Sequence, residues 1–214
     1  MDITWLGQAC FKLRGKNATL VLDPYESEFT GLKLPKDMDA NIVLVTHGHE
    51  DHNNTGVVTG QPKIFEGPGE YEIGGVVVTG ISSFHDNSEG KERGLNTIYN
   101  ITMDGLRVVH LGDLGQESLT QKQIEEIDET DILFVPVGGV YTIDGEDAAK
   151  IVVQLEPKII IPMHYRIEGL KFELESVDKF LKEMGAEGVV PQPKLLITKD
   201  KLPEEPQVVV LSKS

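Results

Sequence analysis

Asn41-Ile-Val-Leu-Val-Thr46-His47-Gly-His49-Glu-Asp51-His52 is the stretch on which the reading of this chain turns. Its first half is an aliphatic and β-branched run with no polar face, the signature of a strand covered on both sides. Where that strand ends, three imidazoles and a carboxylate follow within six residues. A purely structural loop has no use for donors at that density, but a cation does. A tight turn can aim His47 and His49 one way while Asp51 and His52 swing to a neighbouring point, so one segment can serve two adjacent metal positions. Imidazole with carboxylate suits zinc first, and also manganese, iron or nickel; no thiolate is at hand to favour a softer ion.

Upstream of this stretch, extended segments are expected around residues 3–13 and 18–23, joined by the turn sequence Arg14-Gly15-Lys16-Asn17. Downstream, strands are expected at 76–84, 97–102 and 106–111, the last two linked by Met103-Asp104-Gly105. The segment Gly67-Pro-Gly-Glu70-Tyr-Glu72 reads as a turn before a strand, since no lysine or helix signal follows to make it a phosphate cradle. Beyond Asp113, helix and strand alternate: a helix over 120–127 opened by Thr120, a strand over 132–136, a helix over 144–155, a strand over 158–162 and a helix over 173–184 ending at Gly185. Strands at 195–198 and 208–211 complete the pattern. Sheet first and α/β units after imply two sheets packed face to face with helices outside, in one domain spanning residues 1–214.

Charge narrows the partners. Twenty Lys and Arg against 35 Asp and Glu give a net charge of -15, which repels nucleic acid and anionic lipid alike. Met1-Asp2-Ile3-Thr4-Trp5-Leu6 lacks a basic region followed by an apolar one, and no apolar run reaches membrane-spanning length, so neither secretion by that route nor membrane insertion is expected. Cys10 is the only cysteine; no intramolecular disulfide can form, and the cytoplasm is the expected compartment. The expected partner is a small molecule, and self-association into a homo-oligomer stays open.

Thr46-His-Gly-His-Glu-Asp-His52 resembles the His-X-His-X-Asp-His signature of the metallo-β-lactamase superfamily. Further along, Leu22-Asp23-Pro24 resembles its early structural aspartate, Gly112-Asp113 its bridging aspartate and Pro162-Met-His164-Tyr its last metal histidine. With Trp5-Leu6-Gly7-Gln-Ala9, the chain is most similar to the short branch that includes ascorbate phosphate lactonases. The resemblance implies an αββα sandwich of two mixed sheets with the metals at one edge. It implies one metal on His47, His49 and His85, another on Asp51, His52 and His164, and Asp113 between them. Many members place the third histidine in a Gly-His-Thr context, whereas here it stands in Ser83-Phe84-His85-Asp86-Asn87. His110 is the competing candidate for that place, although strand alternation sets it on a different face from Asp113 and favours a supporting role.

Two divalent cations roughly 3.5–4 Å apart can share a bridging hydroxide and polarise a carbonyl or phosphoryl oxygen together. The expected activity is therefore zinc-dependent hydrolysis of a small ester, lactone or phosphorylated metabolite, with Asp51 both ligand and catalytic residue. Residual positive charge at the centre favours anionic substrates. Arg93, Asn96, Tyr141 and Arg166 are the candidate substrate-binding residues. Two alternatives share the scaffold: a mononuclear iron oxygenase of sulfur compounds, which redox metal content would reveal, and a phosphodiesterase or nuclease, which the acidic charge disfavours.

Overall fold

A computed structural model describes residues 1–214. The strands are, in chain order, β1 (Asp2–Gly7), β2 (Cys10–Arg14), β3 (Thr19–Leu22), β4 (Ile42–Val45) and β5 (Lys63–Glu66) in the first half. They continue with β6 (Gly69–Ile73), β7 (Val76–Phe84), β8 (Leu95–Met103), β9 (Leu106–His110), β10 (Ile132–Pro136) and β11 (Ile159–Met163). Two-residue strands β12 (Leu195–Leu196) and β13 (Gln207–Val208) add an edge to each sheet. One sheet runs β12-β1-β2-β3-β4-β5 and the other β13-β11-β10-β9-β8-β7-β6. Both are mixed. Tight turns make β1-β2-β3 and β6-β7-β8-β9 antiparallel, while β3-β4-β5 and β9-β10-β11-β13 are parallel. Parallel neighbours need long crossovers, which here carry the helices α1 (Ser27–Thr30), α2 (Gln121–Ile127) and α3 (Gly145–Leu155). The last helix, α4 (Asp178–Glu183), packs on α3.

The core explains why the strand before the histidine cluster is apolar throughout. Ile42 and Leu44 join the large cluster between the sheets, whereas Val43 and Val45 join a second cluster with Leu6, Cys10, Tyr25 and Leu32 on the outer face. Both faces of β4 are therefore dry, and each such side chain contributes about 1.5–3 kcal/mol by its burial. Between the sheets Phe11 of β2 stacks on Phe134 of β10, with centroids 4.0 Å apart and planes 10° apart. Truncating either ring to alanine is expected to cost about 3–5 kcal/mol. Helix α3 begins at Asp144, whose side chain accepts from the backbone N–H of Glu146 and Asp147, and it buries Ala148, Ile151, Val152 and Leu155 at one-face spacing. Thr120 and Gln123 form a reciprocal cap at the start of α2. No helix is long and apolar enough to cross a membrane.

Three local expectations are corrected. Residues 3–13 are not one extended segment: Gly7 at φ 108 and Gln8 at φ 51 turn the chain, so β1 and β2 pair as a hairpin of their own. Strands β5 and β6 were not expected; they are edge strands next to each other in sequence, β5 is mostly exposed, and the half-buried Tyr71 and Ile73 of β6 alternate with exposed Glu70 and Glu72 over a stretch that reads as a turn because of Gly67, Pro68 and Gly69. The helix expected over 173–184 is confined to α4, because Glu175 instead bridges two strand ends, donating its N–H to Gly138 and accepting from the N–H of Arg166.

Candidate metal centre

The ends of four strands converge at one edge of the sandwich. His47, His49, Asp51 and His52 follow β4, His85 follows β7, Asp113 lies three residues beyond β9, and His164 follows β11. Their donor atoms fall into two groups, His47 with His49 and His85, and Asp51 with His52, Asp113 and His164, the atoms within each group lying within 4.8 Å of one another. Asp113 Oδ2 belongs to the seam between them. It is 3.2 Å from His52 Nε2, 3.3 Å from His164 Nε2 and 3.5 Å from His85 Nε2 of the other group. Asp51 Oδ2 lies 3.6 Å from His52 Nε2 and 3.8 Å from His164 Nε2, and His47 Nε2 is 3.1 Å from His49 Nδ1.

A buried hub holds this floor. Asp23 is fully buried and accepts from the N–H and hydroxyl of Thr46 at 2.8 and 2.9 Å. Its Oδ2 also lies 2.8 Å from His110 Nε2 and 3.1 Å from His52 Nδ1. The Thr46 hydroxyl is in turn 3.0 Å from His47 Nδ1. One carboxylate thus reaches His47 through Thr46 and stands against His52 directly, the kind of support expected behind metal-binding imidazoles. His110 belongs to this hub and not to either donor group; His85 occupies the place for which the two competed.

The loop after His85 is organised by Asp86. Its two oxygens accept four backbone N–H groups, from Ser88, Gly90, Glu92 and Arg93, at 2.8–3.0 Å. Those donors, that of Arg93 foremost, hold the Asp86 carboxyl well below the usual range. Behind His85 the chain passes so closely that a Cβ on Gly115 would sit 2.3 Å from the His85 carbonyl, so only glycine fits there. His164 itself is turned into the site by a left-handed backbone, φ 50, which costs a non-glycine residue energy and marks a position the fold enforces.

Protonation states follow from this crowding. Burial alone would raise the Asp113 and Asp51 carboxyls, yet the neighbouring His52 and His164 outweigh it and hold both well below the ordinary range. Burial, helped by the charge of His52, pushes His47 down to about 3, leaving its imidazole neutral as a ligand must be. Whether the donors suit a metal is decided by what they lack. His52 Nε2, His164 Nε2 and Asp113 Oδ1 are buried with no hydrogen-bond partner, although nitrogens and oxygens stand close by. Polar atoms crowded on one point and left without hydrogen bonds are what a divalent cation satisfies, displacing any imidazole proton as it binds, and the nitrogen and oxygen donor set suits zinc or its first-row neighbours.

Residues 2–164 match the family model described as beta-lactamase superfamily domain. The chain belongs to the beta-lactamase superfamily. Within it, the group is that of the metal-dependent hydrolases. The UPF0173 metal-dependent hydrolase of Methanopyrus kandleri is 30% identical over 86% of this chain and 93% of its own, and that of Thermoplasma volcanium 33% identical over 77% and 83%. A solved structure from Thermotoga maritima, of a member of the metallo-beta-lactamase superfamily, superposes with a TM-score of 0.81 at 37% identity, covering 98% of this chain and 97% of that one. The two mixed sheets and their order are those of the metallo-β-lactamase sandwich.

In this superfamily member the floor opens into a cleft of about 500 Å³, a size suited to a small molecule. Arg93 and Tyr141 line it, with His49, Asp51, His85 and Asp113 below and Phe29, Phe172, Glu50 and Glu92 around it. Asn96 and Arg166, also candidates for substrate binding, do not line it. Asn96 is buried, donating to Ser83 Oγ and the Leu111 carbonyl and accepting from the Asp113 N–H, so its amide is fully used in positioning Asp113. Arg166 is exposed outside the cleft lining. Sequence reasoning missed Phe29 and Phe172, which meet only through the fold, and the role of Asp86. The tight Asp86-to-Gly94 spacing with Gly90 between was the one local sign of a carboxylate-nucleated loop.

Proposed function

We propose that the centre holds two divalent metal ions, with zinc the first choice, and hydrolyses a small, anionic ester, lactone or phosphorylated metabolite. The reading is carried by one observation: Asp113 lies between the two donor groups, at the floor of a cleft open to small molecules. His47, His49 and His85 would hold one ion, Asp51, His52 and His164 the other, and Asp113 both. Bound there, the metals supply Lewis acidity and make water a nucleophile near neutral pH. Asp51 lines the cleft and stays ionised, so it accepts a hydrogen bond from the attacking water and orients it toward the substrate. The proton released by that water goes to the leaving oxygen. Asp23 and Thr46 keep the imidazoles aimed while charge builds on the substrate. The test is a parallel screen of lactones, phosphodiesters and thioesters before and after chelation. Turnover in one class, lost with the metal and restored by its return, is expected. Turnover that survives complete metal removal would end the proposal.

A further inference from the structure

Arg93 has an unusual setting for an arginine in a chain of this acidity. Arg14 and Arg107 pair with carboxylates at 2.8–3.5 Å, whereas Arg93, like the exposed Arg166 outside the cleft, has no carboxylate within ion-pair distance. It is half-buried, it lines the cleft, and it is the one lysine or arginine that does so. The neighbouring Glu92, whose charge could have met it, instead accepts from the Ser88 hydroxyl at 2.8 Å. Meanwhile the guanidinium is immobilised from behind. Its Nη2 donates to the Val140 carbonyl at 3.1 Å, its carbon stands 5.6 Å from the centre of the Tyr141 ring, and its backbone is pinned by Asp86. A guanidinium carries five N–H donors, so most of this fork remains free, and a fixed free fork is suited to a carboxylate, phosphate or sulfonate.

The adjoining wall is apolar. Phe172 meets Tyr141 edge-on with centroids 5.9 Å apart and meets Phe29 at the same distance with a 45° tilt. Phe29 is 45% and Tyr141 37% exposed, an aromatic surface left open directly above a polar floor. The wall is tied together, since the Lys171 N–H donates to the Thr30 carbonyl at 2.9 Å and so joins the segment bearing Phe172 to helix α1 bearing Phe29. Aromatic faces of this kind take planar apolar groups, which offer large contact area with little loss of freedom.

We propose that this rim selects the substrate class: molecules joining a planar apolar group to an anionic group that is separate from the bond cleaved. Arg93 takes the anion, Phe29, Tyr141 and Phe172 take the plane, and the scissile bond lies over the floor at Asp113. The inference rests on the hydrolase reading for that last statement only; the rim's preference is a binding property of its own.

Titration calorimetry on the protein as purified tests it with three probes. 2-Naphthalenesulfonate carries both features, methanesulfonate only the anion and 2-naphthalenemethanol only the plane; sulfonates bind metals weakly, so the floor does not dominate. The two-feature probe is expected to bind at least about tenfold more tightly than either of the others, the equivalent of one good charge-assisted contact. Arg93→Ala should remove that advantage, Arg93→Lys should retain part of it, and Phe172→Ala should weaken both naphthyl probes while leaving methanesulfonate unchanged. These side chains are part-exposed, and unchanged melting temperatures verify that the variants fold. Equal binding of 2-naphthalenesulfonate and methanesulfonate, or indifference to Arg93→Ala, would overturn the inference. Hydrolysis of δ-valerolactone, which has neither feature, is measured alongside. Turnover without rim selectivity removes the rim proposal alone, and rim selectivity without metal-dependent turnover of any lactone, phosphodiester or thioester removes the hydrolase reading alone.

Discussion

The two donor groups at the floor meet at Asp113 but are built differently. Asp51, His52, Asp113 and His164 are all buried and come from three separate strand ends, with Asp23 beneath them. In the other group His85 is buried, but His49 is exposed and lines the cleft mouth. Burial strengthens every electrostatic interaction in the first group and also makes its unpartnered donors costly when no cation satisfies them. More folding stability should therefore depend on an ion in the buried half, and exchange with solvent should be faster in the open half.

Asp113→Asn breaks the comparison most severely, because it removes the charge of the carboxylate that lies between the halves while keeping its size. Two cations roughly 4 Å apart then repel with less compensation, at a cost of several kcal/mol even at an effective dielectric of about 20. Metal content is expected to fall from two per chain to one or fewer, and hydrolysis to drop by at least about a hundredfold. Elemental analysis with a single-substrate assay reads both. A variant that keeps two ions would show that the halves are independent sites.

Graded chelation sharpens the same contrast. One metal should leave at low chelator with a small change in melting temperature, and the second at higher chelator with a larger fall, because the buried donors are then left unsatisfied. Melting curves across a chelator series, with metal counted at each step, check this; a single step removing both ions would mean that the halves act as one.

The histidines separate in the same way. His85→Ala should lose one ion, that of the open half. His110→Ala should keep both ions but cost about 1–3 kcal/mol of stability, since Asp23 loses a buried partner. Metal counts and denaturant midpoints for the pair decide it. If His110→Ala loses an ion and His85→Ala does not, the first group must be redrawn.

The floor was legible in the sequence because its chemistry is local. Four of its residues sit in one six-residue stretch behind a run of apolar residues, and the separate ones, His85, Asp113 and His164, each stand just beyond a strand. What the pattern could not give was spatial convergence of residues without a local signal. Phe29 and Phe172 read as ordinary apolar positions, and it is the packing of their two segments, tied by the Lys171 and Thr30 backbones, that brings them to one wall. Asn96 was misread for a related reason: an asparagine near a site looks the same in sequence whether its amide faces ligand or, as here, is spent on Ser83, Leu111 and Asp113. Edge strand β5 escaped notice because it is mostly exposed, and β6 because its alternating Tyr71 and Ile73 follow Gly67-Pro68-Gly69, which reads as a turn.

The smallest expected effect concerns the loop that joins floor to rim. Asp86→Ala removes the acceptor for four backbone N–H groups, so residues 86–93 should loosen and Arg93 should lose its fixed position. A rise of a few-fold in KM is expected with metal content still at two. Steady-state kinetics alongside elemental analysis measure it, and an unchanged KM would mean that the loop holds its shape without Asp86.

The central claim is a two-metal centre that hydrolyses, and its most direct test is the metal content of the purified protein measured together with turnover under anaerobic conditions. Two divalent ions per chain, with hydrolysis undiminished in the absence of dioxygen, is the predicted result. A single iron per chain with turnover that requires dioxygen would contradict it.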